Sequence, residues 1–121
     1  MNKISREQFK ELKRNHYELW DWLSKNPDKQ KKDWFELEQN KNKSVYKDCY
    51  ACKFTLLISE SSRNRCRFCP LCEGDNENCL DGLFDKWFCL ILMNEPAARS
   101  ECARQIRDLA WNKNNCLDYV V

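Results

Sequence analysis

Six of the nine cysteines in this 121-residue chain fall between Cys49 and Cys79. Four of them form two C-x-x-C pairs, Cys49-Tyr50-Ala51-Cys52 and Cys66-Arg67-Phe68-Cys69, with thirteen residues between the pairs. Each C-x-x-C turn converges two sulfurs on one point while backbone N–H groups can bond the thiolates. Two such turns supply the four tetrahedral ligands of a closed, structural zinc site. The intervening length suits a small zinc-ribbon-like or treble-clef-like loop. Buried core thiols, or disulfides in an oxidising compartment, are the other uses of such a pattern. The odd number rules out complete pairing within one chain.

The spacing favours Cys49, Cys52, Cys66 and Cys69 as the ligands, because Pro70 directly after Cys69 ends the second turn. The set is contested. Cys69-Pro70-Leu71-Cys72 is an overlapping C-x-x-C, and Cys79 lies seven residues further on. A set of Cys49, Cys52, Cys69 and Cys72, or one that uses Cys79, satisfies the same chemistry. Cys89 and Cys102 read as small core residues, and Cys116 as part of a short tail.

The first fourteen residues are polar and charged, unlike a secretory signal. The longest apolar run, Trp87 to Met93, is far shorter than the ~20 residues of a membrane span. The expectation is a cytoplasmic protein without a membrane segment. Thiols stay reduced in that compartment, which again points to metal. The formal charge is +2. Twelve basic against nine acidic residues in 1–48 give +3, and residues 49–80 balance. Residues 81–121 carry five basic and six acidic groups, giving −1. That is no basic footprint of the kind nucleic acid requires. Arg63, Arg65 and Arg67, beside Phe68, are the one place where alternating cations could meet a phosphate backbone. Otherwise they are a solvated loop supporting the zinc site.

Residues 1–121 read as one domain with three zones, 1–48, 49–80 and 81–115. Ser5 and Gln8 form a capping box, and Phe9, Leu12, His16, Leu19 and Leu23 recur at spacings of 3 and 4. This predicts an amphipathic helix over 6–25, stopped at Asn26-Pro27. A shorter helical stretch is predicted over 29–40. Phe54–Ile58 is too short for its periodicity to separate strand from buried helix. Residues 82–93 are apolar almost all round, which predicts a buried helix. Asn94 and Pro96 signal the next one, over 96–111, with Ala98, Cys102, Ile106 and Leu109 on one side. The tail from Cys116 to Val121 is expected to be loose. The fold class is mainly α, with three or four helices around a four-cysteine zinc segment. A small α+β arrangement is the variant.

Catalytic patterns are missing. His16-Tyr17-Glu18 matches half of a zinc deaminase signature, but the Pro-Cys that opens its other half does not occur. His16 is the only histidine, and its place on the apolar stripe makes it a core or capping residue. Cys69-Pro70-Leu71-Cys72 has the spacing of a redox pair but no βαβ pattern around it. Two glycines cannot build a phosphate loop. Among the tryptophans, Trp22 falls off the main stripe and is a candidate interface anchor, unless it packs against the 29–40 stretch.

His16-Tyr-Glu-Leu-Trp-Asp-Trp-Leu23, Lys32-Asp-Trp34, the two cysteine pairs with Pro70-Leu71, Cys79 and Ala103-Arg-Gln-Ile-Arg-Asp-Leu109 occur together. In this the chain resembles small, cysteine-rich proteins encoded by phages and prophages of Firmicutes. It also looks like a zinc-containing member of the anti-CRISPR proteins that inhibit Cas9. Cys72 departs from the pattern, standing where relatives are expected to carry an aromatic residue. The resemblance implies a mobile-element accessory protein, not an enzyme. Its fold would be held by zinc, and it would act by binding a host protein such as a Cas9-type nuclease. A nucleic-acid-binding regulator that uses the three arginines is the alternative. A zinc enzyme of deaminase type is the third.

Overall fold

The structure, a computed structural model, describes residues 2–45, 48–59, 68–71 and 82–121. Among these residues it is mainly helical, with five α-helices. α1 spans Arg6–Lys25, α2 Lys31–Glu36, α3 Tyr50–Ser59, α4 Leu83–Leu90 and α5 Pro96–Arg107.

α1 starts and stops where its sequence says it should. The Gln8 backbone N–H donates to Ser5 Oγ at 3.1 Å, and the Ser5 N–H donates to Gln8 Oε1 at 3.2 Å. Two of the four N–H groups that a helix start leaves open are thereby satisfied. At the other end the Asn26 side chain donates to the Trp22 carbonyl at 2.8 Å. The buried stripe is Phe9, Leu12, His16, Leu19 and Leu23, joined by Asn15, Trp20 and Ser24. Three helices, α2, α3 and α5, pack against α1, and α4 packs on α5. Buried residues from Ile4 to Cys116 form one apolar cluster. Trp20 meets Trp87 edge-on at 4.9 Å, and Phe9 meets Phe54 at 5.6 Å and Trp111 at 5.9 Å.

The undecided apolar run lies within helix α3. Tyr50, Ala51, Phe54, Thr55 and Ile58 are buried, a period of four that becomes visible only when Tyr50 and Ala51 join Phe54–Ile58. The predicted 29–40 stretch divides into α2 and a 3-10 turn over Glu38–Asn40, because Leu37 adopts an extended backbone between them.

Four expectations are corrected. The helix predicted over 82–93 ends at Leu90 and is not buried all round, since it presents one face to α5 and Trp20. Trp87 and Leu90 are buried, whereas Phe88, Leu92 and Met93 are exposed. Cys89 lies on that open side and is exposed, so it is not a core residue. The tail is not loose. Ile4 and Val120 form an isolated parallel bridge, with the Ile4 N–H donating to the Tyr119 carbonyl and the Val121 N–H to the Ile4 carbonyl, each at 2.9 Å. Cys116 is 1 % exposed and belongs to the core. The last helix also stops earlier than predicted, at Arg107 rather than 111.

Candidate metal centre

Of the six cysteines between 49 and 79, the described residues include Cys49, Cys52 and Cys69. Cys66, Cys72 and Cys79 lie outside them, as do Arg63, Arg65 and Arg67.

Cys49 stands at the N-cap of α3. Its carbonyl accepts the Lys53 N–H at 3.0 Å, an early bond of the helix, and its sulfur accepts the Cys52 N–H at 3.3 Å. The thiol thus does what a serine or aspartate oxygen does at other helix starts. The chain enters this position through Asp48, whose φ of 52° is left-handed. Aspartate tolerates that conformation better than most residues. The Cys52 side chain bonds the Cys49 thiol. That contact, the Cys52 and Ala51 backbone N–H groups and the positive charge of Lys31 hold Cys49 well below the usual thiol range, against the opposing effect of burial. A helix N-terminus favours the thiolate in the same direction. Cys52 itself is buried. The pair therefore presents one thiolate-prone sulfur, the ionised form in which cysteine binds a metal, beside a second thiol that would ionise on binding.

Cys69 is held elsewhere. Its sulfur accepts the Leu71 N–H at 3.4 Å, its carbonyl accepts the Asn114 side chain at 2.8 Å, and the Pro70 carbonyl accepts the Lys113 N–H at 3.0 Å. Phe68 meets Tyr119 edge-on. Tyr119 binds Ile4, and the Asn2 N–H donates to the carbonyl of Ile58, in the last turn of α3. Cys69 is thus anchored to the 113–119 segment. Among the described residues no three His, Cys, Asp or Glu side chains come together as a metal-binding group. The structure brings Cys49 and Cys52 together at the start of α3 and holds Cys69 on a different segment.

The remaining described thiols are chemically different. Cys102, 2 % exposed, donates to the Leu83 carbonyl at 3.4 Å, and Cys116 donates to the Trp111 carbonyl at 3.3 Å. Burial pushes both thiols above their usual range, so they stay protonated. His16 is buried between α1 and α5. Its Nε2 lies 2.9 Å from the Ile106 carbonyl, which can only accept, so Nε2 carries the proton. Burial lowers its pKa to about 4. Trp22 is half-buried against the core.

The residue that pattern reading missed is Arg99. It is fully buried on α5 and packs over the Trp87 ring at 4.0 Å. It donates to the carbonyls of Trp87, Pro27 and Lys29 and to Gln30 Oε1, at 2.6 to 3.1 Å. The signal was its register, since Arg99 shares the face of Cys102, Ala103 and Ile106.

Comparison of the chain with known protein families, curated proteins and solved structures finds no match. Among the described residues no helix is long and apolar enough to cross a membrane.

Proposed function

We propose that this chain is a small helical protein that acts by binding a partner protein, not by catalysis, and that a structural zinc ion holds its middle segment. The observation that carries the proposal is the Cys49–Cys52 pair at the start of α3, with its stabilised thiolate. Two further thiolates come from the cysteine-rich stretch that follows. Cys66 and Cys69 are the pair that the spacing favours, with Cys72 and Cys79 as rivals, and the Cys69 sulfur accepts the Leu71 N–H as the Cys49 sulfur accepts that of Cys52, which supports keeping it. Metal analysis of the purified chain and of its Cys→Ser variants tests this. One zinc per chain, lost in Cys49→Ser, Cys52→Ser and Cys69→Ser, is the expected result. Zinc kept in Cys69→Ser moves the set to Cys72 and Cys79, and a metal-free chain overturns the proposal.

The partner follows from the resemblance to phage proteins. It is a host defence protein in the bacterial cytoplasm, with a Cas9-type nuclease as the specific candidate. Pull-down and DNA-cleavage assays with a purified nuclease test that assignment. Unchanged cleavage at large molar excess of the zinc-loaded chain overturns it.

A further inference from the structure

Cys49 and Cys52 stand side by side at the start of α3, their thiols in hydrogen-bond contact, and neither is in a disulfide. The Cys52 N–H, 3.3 Å away, holds the Cys49 sulfur over the first turn of the helix, on the side where Cys52 stands. Helix geometry puts Cα atoms three residues apart at about 5 Å, inside the range of about 4.4–6.8 Å that a disulfide spans. The two thiols differ in access. Cys49 is half-buried, whereas Cys52 is buried. Asp48, next to Cys49 in the chain, and Lys31, whose charge acts on it, line an open cleft of about 530 Å³. A small oxidant therefore meets Cys49 first. The other described thiols lack this arrangement. Cys102 and Cys116 are buried and each donates to a carbonyl. Cys69 is buried and anchored to the 113–119 segment. Cys89 is exposed, on the open side of α4.

We propose that Cys49 and Cys52 close into a reversible disulfide, a peroxide-sensitive switch on the metal site. The Cys49 thiol takes one oxygen from hydrogen peroxide, becomes a sulfenic acid and leaves one water. The Cys52 thiol then attacks that sulfur, the S–O bond breaks, an S–S bond forms and a second water leaves. Two electrons pass from the two thiols to the peroxide. Where the sulfurs start as metal-bound thiolates, the two protons come from solvent. A dithiol reductant returns the electrons by thiol–disulfide exchange and is itself oxidised to a disulfide. Closure removes two of the four thiolates of the zinc site, so the ion leaves; this part rests on the metal reading above. Metal and disulfide are thus alternative staples for the start of α3.

Oxidation of the full zinc-loaded chain with hydrogen peroxide tests it. Remaining thiols are blocked, zinc in solution is read with a chromogenic chelator, and disulfides are mapped by peptide mass. The expected result is a Cys49–Cys52 disulfide that forms in step with zinc release, at least about tenfold faster than oxidation of Cys102 or Cys116. Dithiothreitol is expected to reverse it, with zinc rebound. Cys89→Ser removes the exposed thiol of α4 and is expected to leave the disulfide and its rate unchanged. Cys52→Ser lacks the resolving thiol, so dimedone is expected to trap a Cys49 sulfenic acid that the parent does not accumulate. A map in which Cys49 or Cys52 pairs with another cysteine overturns the proposal. So does one in which both remain thiols after Cys89 has oxidised, or in which Cys49 goes to a sulfinic acid instead. Zinc content before oxidation tests the metal reading by itself, and the same map on a metal-free chain still decides the disulfide.

Discussion

Cys49 and Cys102 are the same side chain in opposite surroundings. Cys49 caps a helix start, accepts an N–H at its sulfur and has Lys31 nearby. Cys102 lies inside the α4–α5 contact, where it donates to a carbonyl and burial keeps it protonated. The contrast extends to the regions that hold them. Around α1 and α5, two buried side chains have their partners: His16 has its carbonyl and Arg99 has four acceptors. The start of α3 offers a thiolate that is suited to a further ligand. Cysteine count alone could not distinguish a packed interface from a reactive corner. The direction of each thiol's hydrogen bond does.

Removing metal is the most severe way to break this contrast. Zinc binding in small domains is worth on the order of 10 kcal/mol of folding. A chelator is therefore expected to melt α3 while the α1–α5 contact survives, as read by hydrogen exchange. Uniform protection with and without chelator would remove the distinction between the regions. Next comes Arg99→Met, which keeps the stem but orphans three carbonyls and Gln30. A loss of about 3–5 kcal/mol is expected in denaturant unfolding, with zinc content unchanged. A loss of metal in that variant would show that the two regions are not separable.

The effect of pH is slightly smaller. Burial lowers His16 from 6.5 to about 4, so the unfolded chain binds the extra proton between those values. Stability is full above pH 6.5 and falls as pH drops toward 4, by roughly 3 kcal/mol from this residue. His16→Gln is expected to flatten that slope, and an unchanged slope would assign it to other groups. The smallest energetic effect belongs to Cys102→Ala, about 1 kcal/mol, with zinc retained. In the metal-free chain at neutral pH, Cys49 is expected to alkylate at least about tenfold faster than Cys102 or Cys116. Equal rates would abolish the contrast between the thiols.

What could be read in advance follows from how local each signal is. α1 was legible because its caps and stripe lie within the helix itself. The start of α5 was legible from Pro96. α3 was not, since five apolar residues carry no decisive period and packing on α1 settles them as helix. α4 misled for the opposite reason. With apolar residues on every side, its sequence could not show that α5 and Trp20 cover one face and leave Phe88 and Cys89 exposed. Arg99 lay on a legible stripe, but its charge masked its burial. Of the candidate site, the closeness of Cys49 and Cys52 was legible from their spacing. The anchoring of Cys69 on residues 113–119 depends on contacts more than forty residues away, which spacing cannot encode.

The bridge between Ile4 and Val120 has a consequence for synthesis. α1 is made well before two of the partners in its region: the Ile106 carbonyl for His16, and the 119–121 segment for Ile4. During translation the apolar stripe of α1 therefore waits without its main cover. Contacts so distant along the chain also carry the largest closure entropy and slow folding. A nascent chain halted before α5 should leave the α1 face that α5 covers, with His16 on it, open to water, and so be a substrate for chaperones until α5 has been made.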